Sequence, residues 1–144
     1  MSVAVIIVNY NSAALLSRCL KSLSEQTLCA EEIVIVDNAS TEAESHSVLN
    51  AISAATVIRS EKNLGYGAAI NLAVSKIDTT EFIVCLNPDA FPEPDWLKNI
   101  VKSAGDHPEY GSFASLMLRD DDPSIIDGAG DELHFTGIPW RRFH

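Results

Sequence analysis

Val3-Ala4-Val5-Ile6-Ile7-Val8 runs directly into the polar triplet Asn9-Tyr10-Asn11. An apolar run without alternation reads as a strand buried on both faces, the habit of parallel sheets covered by helices. Ile33 to Val36 repeats the pattern and ends on Asp37-Asn38-Ala39-Ser40. Thr56 to Arg59 reads as a shorter third strand, and Phe82 to Leu86 as a fourth buried strand ending on Asn87-Pro88-Asp89. Amphipathic stretches fill the gaps. Ser12 is expected to cap a helix whose Leu16, Cys19, Leu20 and Leu23 recur at helical spacing. Thr41 and Glu44 read as a capping box before a helix with Val48, Leu49 and Ile52 on its apolar face. Gly65 and Gly67 precede a third helix carrying Ala69, Ile70, Ala73, Val74 and Ile77. Pro92 and Pro94 break the chain, and Asp95 is expected to cap a fourth helix through Leu97, Ile100, Val101 and Ala104, ended by Gly105 to Pro108. Ser112 to Leu118 reads as a fifth strand. The alternation predicts an α/β fold: an open, mostly parallel sheet with helices on both faces and right-handed crossovers.

The bulk numbers are consistent with that reading. A length of 144 residues suits one domain with a real core, and 47 % hydrophobic with 21 % charged residues is ordinary for a globular protein. No apolar run approaches a membrane span. The apolar start lacks the basic flank and cleavage site of a signal peptide. A formal net charge of −10 argues against nucleic-acid binding, which needs a basic face, but not against a phosphate ligand bridged by a divalent cation. Cys19, Cys29 and Cys85 are odd in number and form no CxxC, so neither a disulfide framework nor a zinc knuckle is expected. Cys85, inside the fourth apolar run, is expected to be a buried small hydrophobe. A reducing cytoplasm suits all three.

Ligands of open α/β sheets bind beyond the carboxyl ends of the strands. Four segments should therefore converge on one crevice: Asn9-Tyr10-Asn11, Asp37 to Ser40, Asn63 to Gly67, and Asn87-Pro88-Asp89. Asp37 suits a hydrogen bond to a base or ribose; the competing reading is an Asx-turn. Asn9 equally reads as a turn residue. The Gly65-Tyr66-Gly67 stretch resembles a phosphate loop, although its glycines also permit close packing or positive φ. The first turn holds no glycine, which speaks against a nicotinamide-type dehydrogenase. Asp89 is the sharpest single residue, set between an apolar strand and a proline-broken loop. Mg²⁺ takes one or two carboxylates together with substrate phosphates, so one Asp and a diphosphate make a sufficient ligand set. A helix or turn cap is the competing reading. His46, His107, His134 and His144 show no metal spacing, and Trp140-Arg141-Arg142 reads equally as a sugar contact or as ordinary surface.

Taken in order, Val5 to Asn11, Ile35 to Ser40, Asn63 to Gly67 and Leu86 to Asp89 resemble the family 2 glycosyltransferases, which have the Rossmann-like GT-A fold. The resemblance covers roughly residues 3 to 118, and the Asn-Ala-Ser and Asn-Pro-Asp variants look most like its rhamnosyltransferase-like branch. It implies a nucleotide-sugar-binding core over 1–118, with 119–144 beginning an acceptor-side region. It implies that Asn9, Tyr10, Asp37, Asn38, Asn63, Gly65, Gly67 and Asn87 line a pocket for a UDP- or dTDP-sugar. Asp89 would hold Mg²⁺ or Mn²⁺ on the diphosphate. Asn87 stands where an Asp-x-Asp signature often has its first acid, leaving one carboxylate. The implied reaction is inverting transfer to a saccharide or lipid-linked saccharide acceptor, in polysaccharide biosynthesis. It would take place in the cytoplasm or peripherally at the inner membrane face. In the family the general base lies in a later Glu-Asp-type motif. No equivalent is read before His144, so the chain is expected to be cut from something longer. The irregular Asp127 and Asp131 are not nominated.

Two other functions compete. Nucleotidyl transfer would want a glycine-rich, basic first loop to meet a triphosphate, and Asn9 to Ser12 supplies neither. A non-catalytic nucleotide-binding or interaction module is the other, favoured by the missing base.

Overall fold

The computed structural model describes residues 2–78 and 80–142. The chain falls into two compact units, residues 1–101 and 102–144. In the first, β1 (Val3–Asn9), α1 (Ala13–Ser24), β2 (Glu32–Asp37), α2 (Ala43–Ala51), β3 (Thr56–Arg59), α3 (Tyr66–Val74) and β4 (Phe82–Leu86) alternate, and α4 (Trp96–Asp106) runs across the boundary. The four strands form one parallel sheet in the order β3-β2-β1-β4. The chain thus steps outward from β1 to β3 and then returns across the sheet to place β4 on the other side of β1. That reversal is the topological switch point where such sheets open a crevice.

Side chains alternate across the pleat, and each face of the sheet has its own core. Val3, Val5, Ile7, Ile35, Val84 and Leu86 pack with Leu16, Cys19 and Leu23 of α1, Leu49 of α2, and Leu97 and Val101 of α4. Ile6, Val8, Val34 and Val36 pack on the opposite face with Ala69 and Ala73 of α3. Every residue of β1 is buried. Each fully buried Val or Ile of this strand contributes about 1.5–3 kcal/mol to the fold. The small Ala69 and Ala73 let α3 lie close on β1 and β2.

Several local expectations change. β4 is an edge strand buried on one face only: Val84 and Leu86 point inward, whereas Ile83 and Cys85 are exposed. The expected burial of Cys85 fails because the core of α3 reaches β1, β2 and Ile58 but not β4. Ser12 precedes α1 without capping it, since its hydroxyl donates to the Tyr10 carbonyl, 2.9 Å away. The Thr41–Glu44 capping box does not form, and α2 starts after Glu42 with no side-chain cap. α4 continues through Gly105 to Asp106. The fifth strand shrinks to β5 (Met117–Leu118), exposed and antiparallel to β6 (Ile126–Gly128). A second small pair, β7 (Asp131–Leu133) and β8 (Pro139–Arg141), is joined by a turn closed by His134 N–H to Ile138 O and Gly137 N–H to His134 O. Among the described residues, no helix is long and apolar enough to cross a membrane.

Candidate functional site

The register of the sheet builds the site. β1 and β2 end in the same row, with Asn9 opposite Asp37. Asn9 is 0 % exposed and Asp37 3 %, so both polar side chains are buried at the carboxyl end of the sheet. Asn9 Nδ2 donates to Asp37 Oδ1 at 3.4 Å and to Ser40 Oγ at 3.2 Å. The carboxylate can only accept, which orients the Asn9 amide with its nitrogen towards it. Ser40 N–H also donates to Asp37 Oδ1, 3.3 Å away. Among the described residues, Asn9 Oδ1 is buried with no hydrogen-bond partner, as is Ser45 Oγ. Leaving a buried acceptor unmet costs about 1–3 kcal/mol, so the pairing on the Nδ2 side must hold this amide in place.

The loop after β1 is tied to the loop after β2. Ser40 Oγ accepts from Asn11 N–H at 3.0 Å, and Asn11 Oδ1 accepts from Thr41 N–H at 2.8 Å and Glu42 N–H at 3.3 Å. Asn11 and Ala39 take positive φ, 50° and 66°. Asn adopts the left-handed region readily, whereas Ala there is strained. The hydrogen bonds of the flanking residues Asn38 and Ser40 hold Ala39 in that conformation.

A second clasp joins β2 to the loop before α3. Asn38 Nδ2 donates to Asn63 Oδ1 at 2.9 Å, and Asn38 Oδ1 accepts from Leu64 N–H at 2.8 Å. Asn63 Oδ1 takes a further bond from Gly65 N–H at 2.9 Å. Gly65 has φ 77° and ψ 163°, a backbone region essentially reserved for glycine, and it turns the chain into α3. Gly67 lies within α3 with open space where a Cβ would project. Tyr10, Asn63, Gly65, Tyr66, Gly67 and Asn87 are exposed around the rim.

β4 ends at Leu86 opposite Ile7, two residues before Asn9, and Asn87-Pro88-Asp89 continues at the rim. Ala90 N–H donates to Asn87 O at 3.1 Å, closing this turn. The buried Cys19 thiol of α1 donates to Asn87 O, 3.7 Å away. Its pKa is pushed up to about 12, first by burial and then by the charge of Asp89. Asp89 is exposed on the turn after β4, near enough to Cys19 of α1 for its charge to act on that thiol. Among the described residues no three His, Cys, Asp or Glu side chains gather to hold a metal on their own. One exposed carboxylate fits a hard cation that keeps water and phosphate oxygens as its other ligands, and fits no metal that requires an all-protein cage.

The expected segments after β1 and β2 and before α3 thus meet through side-chain hydrogen bonds. Asn9, Asp37 and Asn38 are buried at this junction, Asn63 and Gly65 are exposed beside it, and Asn87 and Asp89 follow the end of β4. Ser40 and Asn11, which join two of these segments, were quoted in the motifs without a role. Their signal lay in residue type, since Asx and Ser side chains often hydrogen-bond nearby backbone. Gln26 and Thr27 gave no signal in the sequence.

Residues 4–139 match the model of the family described as glycosyl transferase family 2. An N-acetylglucosaminyl-diphospho-decaprenol L-rhamnosyltransferase of Mycobacterium tuberculosis (strain ATCC 25618 / H37Rv) is 25 % identical over 135 residues, covering 87 % of this chain and 44 % of the relative. A glycosyltransferase of Nostoc sp. (strain PCC 7120 / SAG 25.82 / UTEX 2576) is 33 % identical over 136 residues, covering 92 % of this chain and 42 % of its own length. The chain therefore spans less than half the length of these curated relatives. Among solved structures, the mannosyltransferase PcManGT from Pyrobaculum calidifontis, in complex with GDP-Man and Mn²⁺, superposes with a TM-score of 0.67 at 28 % identity, over 85 % of this chain and 37 % of that one. S. aureus TarS 1-349 in complex with UDP-GlcNAc gives 0.65 at 26 % identity, over 75 % of this chain and 32 % of that one. The parallel α/β sheet and the four ordered motifs agree with these matches, and the chain belongs to glycosyl transferase family 2.

Proposed function

We propose that this chain is the donor-binding part of an inverting glycosyltransferase. It takes a sugar from a UDP- or dTDP-linked donor for transfer to a hydroxyl of a saccharide or lipid-linked saccharide. The observation that carries the reading is that the ends of β1 and β2 and the loop before α3 are joined by the Asn9–Asp37 bond and the Asn38–Asn63 clasp, at the carboxyl end of a sheet whose order reverses between β1 and β4, the strand that leads into Asp89. Residues 1–118 hold the donor, and residues 119–144 begin the acceptor side. The complexes of the two solved relatives with nucleotide sugars support the donor class, and the Mn²⁺ of one supports the cation.

Each part of the crevice then has a task. Asp37, held from behind by Asn9, accepts hydrogen bonds from the base. Tyr10, Asn63, Gly65, Gly67 and Asn87 line the nucleotide at the rim, and Asn9 and Asn38 shape that pocket from the floor. Asp89 offers one oxygen to Mg²⁺ or Mn²⁺ beside the diphosphate. Such a cation, when bound, stabilises charge on the departing diphosphate as a Lewis acid. The acceptor hydroxyl, giving its proton to a carboxylate general base for which no residue of this chain is nominated, would attack in line as the anomeric carbon–diphosphate bond breaks, inverting that carbon through an oxocarbenium-like state and releasing the nucleoside diphosphate.

Calorimetric titration with UDP and dTDP, each with and without Mn²⁺, tests the reading. Binding strengthened by Mn²⁺ is expected in the wild type. In Asp89→Ala that metal dependence should vanish while far-UV circular dichroism stays native. Failure of the folded wild type to bind either nucleotide would move the assignment to an interaction module. Mn²⁺-dependent binding retained in Asp89→Ala would remove Asp89 from the metal site.

A further inference from the structure

Among the described residues, the loop carrying Asp89 makes few backbone hydrogen bonds of its own. Between Asp89 and α4 the chain passes Pro92 and Pro94, which have no N–H to donate. Within the segment the backbone bonds are Ala90 N–H to Asn87 O and Trp96 N–H to Glu93 O. Ala90 and Phe91 pack against the core, Asp95 pairs with Lys98 of α4, and several further attachments lead to α1 and to Gln26 and Thr27 just beyond it. The Cys19 thiol donates to Asn87 O. The Arg18 guanidinium lies 3.7 Å over the Phe91 ring. Thr27 N–H donates to Pro94 O at 2.8 Å, and Thr27 Oγ1 to Asp95 Oδ1 at 2.6 Å.

Gln26 is the centre of this strap. It is 6 % exposed, an unusual burial for a primary amide, and both ends of its amide are engaged. Nε2 donates to Glu93 O at 2.8 Å, with longer approaches to Pro92 O at 3.4 Å and Ser22 O at 3.2 Å. Oε1 accepts from Leu97 N–H at 3.0 Å. That N–H belongs to the first turn of α4 and has no partner inside the helix, so a side chain on a different element takes the role of a cap. Two carbonyls of the proline loop and one helix-end amide are thus satisfied by one buried side chain of the α1 terminus.

We infer that Gln26 is a positioning residue for Asp89: with Thr27 it fixes the Asp89–Asp95 loop to α1, and so sets the metal-binding carboxylate at the crevice. The inference deepens the donor-binding assignment and rests on it for its metal readout. Gln26 touches neither nucleotide nor cation. Asp37, Asn38 and Asn63 stand on other elements and do not depend on this strap. Its loss should therefore separate metal-dependent from metal-independent binding.

The test uses the whole chain as Gln26→Glu and Thr27→Val. Glu keeps the acceptor for Leu97 N–H but removes the donor to Pro92 O and Glu93 O. Thr27→Val removes one exposed bond to Asp95, so it decides the matter should Gln26→Glu not fold. Two measurements are made: Mn²⁺ titration in the presence of UDP, and hydrogen exchange of the amides from Asp89 to Leu97. The expected result is Mn²⁺ affinity lowered about tenfold in Gln26→Glu and a few-fold in Thr27→Val, metal-free UDP affinity unchanged, and faster exchange confined to this loop. Equal losses with and without Mn²⁺ would reduce Gln26 to general scaffolding and overturn the inference. Unchanged Mn²⁺ affinity with a loosened loop would overturn it too. A wild type that binds neither UDP nor Mn²⁺, yet whose loop loosens in the variants, fails the donor-binding assignment instead and removes the metal role while leaving the strap.

Discussion

Asp37 reaches the crevice with one oxygen already engaged, because Oδ1 accepts from both Asn9 Nδ2 and Ser40 N–H. A carboxylate held this way has lost most of its rotational freedom before a ligand arrives, so little ordering entropy remains to oppose binding. The same bonds make the residue structural. Asp37→Ala would strand Ser40 N–H and leave Asn9 Nδ2 only its bond to Ser40 Oγ. Two losses are expected together. Nucleotide affinity should fall by roughly ten- to hundredfold, with or without Mn²⁺, since a hydrogen bond to a charged group is worth about 1.5–3 kcal/mol. Stability should fall by about 1–3 kcal/mol, read from the midpoint of urea unfolding. Titration with UDP decides between the roles: wild-type affinity in a destabilised variant would leave Asp37 to the turn alone. Asn9 acts one step further back. Its amide is buried beneath the crevice and can influence a ligand only through Asp37 and Ser40.

At the scale of elements, four strands and four helices were legible because each carried a run or a period longer than its noise. β1 and β2 were continuous apolar runs, and α1 kept Leu16, Cys19 and Leu23 on one buried face. The caps were not legible, since Ser12 and Thr41 have local alternatives that sequence spacing cannot weigh. Cys85 was misjudged for a different reason. An apolar run says that a strand is apolar, not that both its faces are covered, and α3 covers only its neighbours. The crevice segments were legible through sheet topology, which sends strand ends to one place. Gln26 was not, because the partners that give it its place, on the proline loop and α4, lie 66 to 71 residues away and no local pattern announces them. The two glycines before and within α3 separate cleanly on physical grounds. Gly65 has φ 77° with open space around it, so Gly65→Ala is opposed by backbone strain alone, about 1–3 kcal/mol. Gly67 sits in α3, also with open space, so Gly67→Ala should stabilise the free protein by up to about 1 kcal/mol. Thermal unfolding of both variants checks the pair. Equal shifts of the same sign would contradict the backbone geometry before α3.

At the scale of the molecule, a chain with formal net charge −10 is proposed to bind a ligand that is itself an anion. Without a cation the two repel at long range, and salt weakens that repulsion. Raising ionic strength from 0.01 to 0.1 M shortens the screening length from about 30 Å to about 10 Å. Metal-free UDP should therefore bind more tightly by about two- to fivefold over that range, the reverse of the usual salt effect on an anion site built from lysines and arginines. The cation senses the same field with the opposite sign. Mn²⁺ is drawn towards an acidic protein, and its affinity should weaken over the same change of salt. Two titration series measure the two slopes, with an inert monovalent salt as the only variable. Opposite signs mean that the global charge governs the approach of both partners and that Asp89 and the cation reconcile the anion with the acidic chain. If metal-free UDP instead weakens with salt, the field at the crevice is locally positive despite the net charge. The nucleotide phosphates would then be met by basic side chains near the rim, not by a cation alone.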